Sequence, residues 1–329
     1  MFKSKFNIIY ENIMKSLISE SGNAIKGGSR IKKENIESTL NLIQTELFDK
    51  IGIKHEWWDI LGSTGKKESS GDIDIGVELN KVFEKTEIKD KKSYGEKLDK
   101  ICEENDWQHN NRLNTGADTY HIGIPIVGQP NEIVQLDLMS SYDLNFTKFK
   151  YFSPAENESK YKGALRGILI DVILKYTSMA NADLNDTTPY EIISTDGNIK
   201  SYPGKTFSFI SMGPNGFGKT TKTFKGTTKD FTIPKTISRQ ELTKNPQECL
   251  DILFGKNTFS ETDFQSFETI WNNVLMSEKF PYKNLVSNII KTFVENFKNW
   301  NKRQLDDHKV ELPQEIIEWA NKNNINIGK

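Results

Sequence analysis

The spacing of apolar residues changes period several times along the first half of the chain. Phe6, Ile9, Ile13, Leu17 and Ile18 recur at helical spacing and predict an amphipathic helix over residues 1–20. The glycine-containing break "SESGNAIKGGSR" follows. Helical spacing then returns over residues 33–50 through Ile36, Leu40, Ile43 and Leu47. In "HEWWDILGS", Trp57, Asp59 and Leu61 alternate with Trp58 and Ile60, which predicts a strand ending at Gly62-Ser63. "GDIDIGVEL" reads as a second strand, with Asp72 and Asp74 on one face and Ile73 and Ile75 on the other. Residues 80–92, rich in lysine and glutamate, are expected to be a solvated loop, and residues 93–106 a helix. "TYHIGIPIVGQPNEIVQLDLMS" predicts a hairpin: Tyr120–Val127, a Gly-Gln-Pro-Asn turn, then Ile133–Met139. Asp137 lies in the return strand between Leu136 and Leu138.

Further on, Ala164, Leu165, Ile168, Leu169, Val172 and Ile173 form the apolar stripe of a helix expected over residues 159–176. Residues 187–237 turn to Thr, Gly, Lys and aromatic side chains and are expected to be β-rich, with Asp196-Gly197 as a hairpin turn. From residue 245 the pattern is helical again. Ser260 to Asp263 resembles a capping box, and Pro313 starts a last short helix. The expected architecture is α+β: a mixed sheet with flanking helices, then a β-hairpin and helical C-terminal part. The expected divisions are an N-terminal helical segment at 1–50, a sheet-bearing part at 51–150, and a C-terminal part at 151–329.

Composition narrows the classes. At 329 residues, with 36% hydrophobic and 27% charged residues, the chain can bury a sizeable core. Lys+Arg 44 against Asp+Glu 45 leaves a net charge of −1, so no bulk attraction to a polyanion is expected, although a local basic groove is compatible with it. Two cysteines, Cys102 and Cys249, stand far apart and outside any CxxC, which argues against a disulfide framework or a zinc knuckle. No stretch is long and apolar enough to span a membrane. The N-terminus carries Glu11 and Lys15 among its apolar residues, unlike a signal peptide. A cytoplasmic protein with no membrane partner is the expectation.

The chemistry concentrates in the acids. Two aspartates at i and i+2 on one strand face repel each other unless a cation sits between them. Asp72 and Asp74, joined by Asp137 from a neighbouring strand, supply the hard oxygen ligands that Mg²⁺ prefers, with Mn²⁺ as a substitute. Two ions roughly 3.5–4 Å apart, held by such carboxylates, suit nucleotidyl transfer. The Gly62-Ser63 turn offers backbone N–H groups to a triphosphate, and Lys66 and Lys67 in the same loop add positive charge. The plain alternative is a pair of solvated acids on an edge strand.

Gly62-Ser63 followed by "GKKESSGDIDI" resembles the signature of the DNA polymerase β-like nucleotidyltransferase superfamily, most of all its family X polymerases. That family carries a third aspartate on a later hairpin strand, where this chain has Asp137. It also carries a Tyr-Phe pair ahead of a thumb helix, where this chain has Tyr151-Phe152. The resemblance covers roughly residues 45–175. It implies a palm-like sheet and transfer of an NMP or dNMP from a nucleoside triphosphate to an acceptor hydroxyl, with release of pyrophosphate. Asp72 and Asp74 would bind both metals; Asp137 would bind the catalytic one and help activate the hydroxyl. Gly62, Ser63, Lys66, Lys67, Tyr151, Phe152, Lys162 and Arg166 would bind the nucleotide. The segment before residue 50 is shorter than the DNA-gripping domain of family X. Template-independent extension of a nucleic acid, nucleotidylation of a protein or small molecule, and cyclic-oligonucleotide synthesis are therefore all open.

A second motif competes. "GPNGFGKT", Gly213 to Thr220, satisfies G-x-x-x-x-G-K-[ST] after a plausible strand. A phosphate-binding P-loop needs a helix directly behind it, and "TKTFKGTTKDFTIP" has β-branched alternation instead. The stretch is expected to be a glycine-rich hairpin, with a P-loop NTPase as the lesser reading. His121, alternating with apolar residues in its strand, reads as structural, and Trp57 and Trp58 as packing under the site.

Overall fold

The computed structural model describes residues 24–113, 118–155, 157–180, 190–193, 199–202, 206–213, 216–223, 235–302 and 309–327. The expected helix over 1–20 and the Asp196-Gly197 turn lie outside these residues. Two compact units divide the chain. Of the described residues, one unit takes in 24–167 together with Gln265–Glu268; the other takes in Ile168–Phe264 and those from Thr269 onward.

The first unit begins with the short strand β1 (Ile31–Lys32) and helix α1 (Lys33–Ile43), which widens into a π turn at Gln44–Phe48 and closes at Gly52. Strands β2 (Trp58–Ile60), β3 (Ser69–Ser70) and β4 (Asp72–Glu78) follow. Next come helices α2 (Leu79–Lys85) and α3 (Lys91–Glu104), then strands β5 (His109–Arg112), β6 (Thr119–Pro125) and β7 (Ile133–Ser141), and helix α4 (Leu144–Lys150). Helix α5 (Gly163–Ala180) starts in this unit and continues into the other.

Five strands form one mixed sheet in the order β2-β4-β7-β6-β5. Only the β4–β7 pair is parallel. A parallel neighbour needs a crossover, which α2, α3 and the β5–β6 hairpin provide between β4 and β7. Because side chains alternate along each strand, the sheet has two distinct faces. Ile73 and Ile75 of β4, Tyr120 and Ile122 of β6, and Leu136 and Leu138 of β7 are buried in one core cluster. With them are Ile43 and Leu47 from the α1 stretch, and Leu98 and Ile101 of α3. The opposite face carries the acids.

Four expectations change. Residues 80–92 are not a loop throughout: "LNKVFEK" forms α2, because Leu79 and Val82, one turn apart, reach the core while its lysines stay in water. Residues 33–50 are not part of a separate N-terminal segment. Ile36, Ile43, Leu47 and Phe48 belong to the same core as the sheet, so the boundary expected at residue 50 is absent. The division falls at Gly167 rather than residue 150. The strand expected from His55 is also shorter. A 3-10 turn at His55–Trp57 precedes β2, which lets both Trp57 and Trp58 be buried.

In the second unit, β8 (Tyr190–Ile193) and β9 (Ile199–Tyr202) pair as an antiparallel hairpin. Strands β10 (Thr206–Gly213), β11 (Gly216–Thr223) and β12 (Lys235–Thr243) form an antiparallel sheet with β11 in the middle. Helix α6 (Pro246–Phe254) is capped by Asn245, whose side chain accepts from Glu248 N at 3.0 Å. Phe254, Phe259, Phe264 and Phe280 pack together beyond it. Helices α7 (Val286–Asn301) and α8 (Gln314–Lys322) complete the unit, the last starting after Pro313 as expected.

Cys102 and Cys249 are free and buried. Among the described residues, no helix is long and apolar enough to cross a membrane.

Candidate metal and phosphate site

Register decides the geometry of the acid face. In the parallel pair, Asp74 lies directly beside Asp137, and Asp72 beside Gln135. Across the antiparallel pair, Asp137 lies beside His121, and Gln135 beside Gly123. Asp74, Asp137 and His121 thus form one polar row across three strands. Each of Asp72, Asp74 and Asp137 offers a carboxylate oxygen, all within 4.8 Å of one another. The three acids singled out in the sequence are therefore brought together.

Their surroundings differ. Asp137 is 0% exposed. Its Oδ1 accepts from Gln135 Nε2 at 2.8 Å and pairs with His121 Nδ1 at 2.7 Å, while its Oδ2 is buried without a hydrogen-bond partner among the described residues. Asp72 and Asp74 are half-buried. Burial, followed by the Asp137 charge, pushes the Asp72 carboxyl up to about 7, against the opposing pull of Arg30. Burial and then the charges of Asp72 and Asp137 push Asp74 well above the usual carboxylate range. Three crowded carboxylates with one orphan oxygen are a poor resting arrangement and a good ligand set for a hard divalent cation. The residues fit such an ion.

The Gly62-Ser63 turn is welded to β4. Leu61 N donates to Asp74 O at 2.8 Å, and Asp74 N donates to Thr64 Oγ1 at 3.1 Å. Gly62 has φ +62°, and a Cβ there would collide with Asp74 Oδ2. Gly62→Ala is therefore expected to push the Asp74 carboxylate aside. A displaced ligand is expected to weaken divalent-cation binding by about 10–100-fold, readable by Mn²⁺ titration with an unchanged circular dichroism spectrum.

Tyr151 and Phe152 reach the same turn: Gly62 N donates to Tyr151 O at 3.2 Å, and Gly62 and Phe152 form a β-bridge. Lys66 Nζ donates to Ser153 O at 2.6 Å and lies 4.5 Å from the centre of the Phe152 ring. Burial lowers the Lys66 pKa, partly offset by Glu158. Tyr151 is 39% exposed, with Lys150 Nζ 5.2 Å from the centre of its ring. Ser63 and Lys67 are half-buried in the turn.

Arg166 has a different place from the one its sequence position suggested. It is 2% exposed, and its guanidinium donates to Phe149 O at 2.7 Å, Lys150 O at 3.2 Å and Phe152 O at 3.3 Å. It fixes the end of α4 and the Tyr151-Phe152 segment, and so acts on the turn from behind. Arg166→Met would leave the Phe149 carbonyl, and in part those of Lys150 and Phe152, short of donors; a loss of about 2–3 kcal/mol is expected, measurable by urea unfolding. Lys162 is half-buried, and its carbonyl accepts from Leu165 N at 3.0 Å at the start of α5.

The P-loop-like stretch is a hairpin. Gly213 pairs with Gly216, and Lys219 and Thr220 lie within β11, facing Ile210 and Phe209 across the pair. Thr220 is buried in that sheet. The helix N-terminus that a P-loop needs is not there.

Four residues near the acids carry no such signal in the sequence. His121 reads as structural, yet it bonds Asp137. Gln135 escapes notice because an amide carries no motif. Arg30 donates to Ser69 Oγ at 3.0 Å and Ser69 O at 2.8 Å and lends its charge to Asp72. Thr64 is buried against β4 by its hydroxyl. The register of the hairpin would have found His121, since it faces Asp137 across the strands; nothing in the sequence pairs Arg30 with Ser69.

A separate cavity of about 700 Å³ at the β2 edge, lined by Gln44, Trp58, Asp59, Glu78, Lys148 and others, contains none of the three acids. Two of its acids are paired, Asp59 with Lys148 and Glu78 with Lys81. Compared with known proteins, the chain matches no family model, no curated protein and no solved structure.

Proposed function

We propose that this protein is a metal-dependent nucleotidyltransferase with a polymerase β-like palm, moving an NMP or dNMP from a nucleoside triphosphate to an acceptor hydroxyl. The observation that carries the reading is the parallel β4–β7 register, which sets Asp74 beside Asp137 and Asp72 one step along. The Gly62-Ser63 turn, clasped to both β4 and the Tyr151-Phe152 segment, supports it as a place for the phosphates. Magnesium, or manganese in its stead, would be held by Asp72, Asp74 and Asp137, and when bound supplies charge neutralisation at the reacting phosphate.

The chain's own residues then have distinct tasks. Asp137, the most buried acid, orients one oxygen into the site. The Gly62 turn exposes backbone beside Asp74. Lys66 is tied to Ser153 and braces the phosphate side of the turn. Tyr151 presents an exposed ring for the sugar or base. A nucleic acid, a protein or small molecule, and a second nucleotide are all candidate acceptors.

The test incubates the protein with each α-labelled NTP and dNTP and Mg²⁺ or Mn²⁺, with and without RNA and DNA primers. Label on a primer assigns a nucleic-acid acceptor; label on the protein, or in a small oligonucleotide, assigns the other two. No transfer in any arm, with NTP hydrolysis that disappears in Lys219→Ala, would overturn the reading.

A further inference from the structure

Asp137 does not stand alone among the acids. Gln135 Oε1 accepts from Ala24 N at 2.9 Å and Ile25 N at 3.2 Å. Two backbone N–H donors oblige that atom to be the amide oxygen. Nε2 therefore faces Asp137 and donates to its Oδ1 at 2.8 Å. His121, 1% exposed, reaches the same oxygen through Nδ1 at 2.7 Å. Oδ1 is thus occupied twice, and Oδ2 is the one buried carboxylate oxygen without a partner among the described residues. The segment that fixes Gln135 is itself seated on the acid face: Ile25 packs over Gly123, where a Cβ would meet Ile25 Cγ2 at 3.0 Å. Ser29 N donates to Ile133 O at 2.7 Å just beyond it.

We infer that His121 and Gln135 are positioning residues that hold Asp137 as a one-oxygen ligand through Oδ2, and that the Ala24–Ile25 segment locks Gln135 in that role. The inference rests on the metal-binding reading of the three acids and adds which oxygen is used and what enforces it. Neither residue touches the cation; both act through Asp137. Outer-shell hydrogen bonds of this kind are worth about 10–100-fold in metal affinity.

The experiment titrates the full-length protein with Mn²⁺ alone and follows free Mn²⁺ by electron paramagnetic resonance. Wild type, Asp137→Asn, His121→Phe, His121→Asn and Gln135→Met are compared, with circular dichroism and melting temperature recorded for each. His121→Phe and Gln135→Met are expected to weaken Mn²⁺ binding about 10–100-fold. His121→Asn keeps a side-chain donor and is expected to recover most of that loss. Should His121→Phe fail to fold, Gln135→Met and His121→Asn carry the comparison. Binding lost in Asp137→Asn but unchanged in His121→Phe and Gln135→Met would overturn this inference and leave the proposed function standing. No Mn²⁺ binding by the wild type would overturn both.

Discussion

Asp137→Asn is expected to lower metal-dependent nucleotidyl transfer by about 10³-fold or more, while the protein stays folded. A single preorganised charge-stabilising group costs about 10²–10³ when removed, and here the lost group is also a ligand. The fold should survive because the substitution is nearly isosteric. The asparagine oxygen can still accept from His121 and Gln135, as Asp137 Oδ1 does now. The amide nitrogen then takes the place of Oδ2, the atom with no partner to lose. It points a donor toward acids that crowd one another, which relieves their repulsion and excludes a cation. Single-turnover transfer of labelled nucleotide, alongside circular dichroism, checks both halves of the expectation. Lys219→Ala serves as the contrast. Lys219 is exposed on β11, in a hairpin without the helix a P-loop needs, and its loss should leave transfer within about twofold, as expected of an exposed strand position. Transfer that survives in Asp137→Asn to within about tenfold would remove the acids from the reaction.

The readable and unreadable parts of this site differ for a physical reason. Asp72 and Asp74 are visible because alternation along a strand is local: Ile73 and Ile75 must face a core, so the acids must face away from it. Asp137 is visible because an acid between Leu136 and Leu138 breaks an apolar return strand. What those patterns lack is register between strands distant in the chain. The parallel pairing that puts Asp74 beside Asp137 depends on the whole crossover through α2, α3 and β5–β6, and no pair of residues announces it. Gln135 and His121 are obscured for a related reason, since a polar side chain in a strand has no meaning until its neighbours are known; for His121 the neighbour is Asp137, set by the register of its own hairpin. Arg166 shows the opposite failure. Its spacing from Lys162 suggests a shared cationic face, whereas the carbonyls at the end of α4 draw its guanidinium inward. Elements are missed where the signal is too short or too polar: α2 offers two buried positions in seven residues, and β5, "HNNR", has no apolar alternation.

Asp72→Asn is expected to stabilise the metal-free protein, and to do so only above mildly acidic pH. In the folded chain, burial and the neighbouring Asp137 charge raise the Asp72 carboxyl to about 7, against about 3.9 for an unfolded aspartate. Between those values the folded state binds more protons than the unfolded one, so stability falls as pH rises. Below about pH 4 both states are protonated and the penalty is absent. By about pH 7.5 it is close to complete, and a gap of about three pH units between the two states corresponds to about 4 kcal/mol at most. Asp74, raised in the same direction, adds to the trend. Removing the Asp72 charge should therefore raise the melting temperature by about 5–10 °C at pH 7.5 and leave it unchanged near pH 4. Magnesium should reverse the order. Held by the three acids of the folded wild type, it would stabilise that protein by mass action, while Asp72→Asn, short of a ligand, should gain little. Thermal melts from pH 4 to 8 in EDTA and in excess Mg²⁺ give the four curves needed. Parallel curves for the two proteins in EDTA would show that the three acids do not strain the metal-free fold. An equal Mg²⁺ shift in both would show that the cation binds elsewhere.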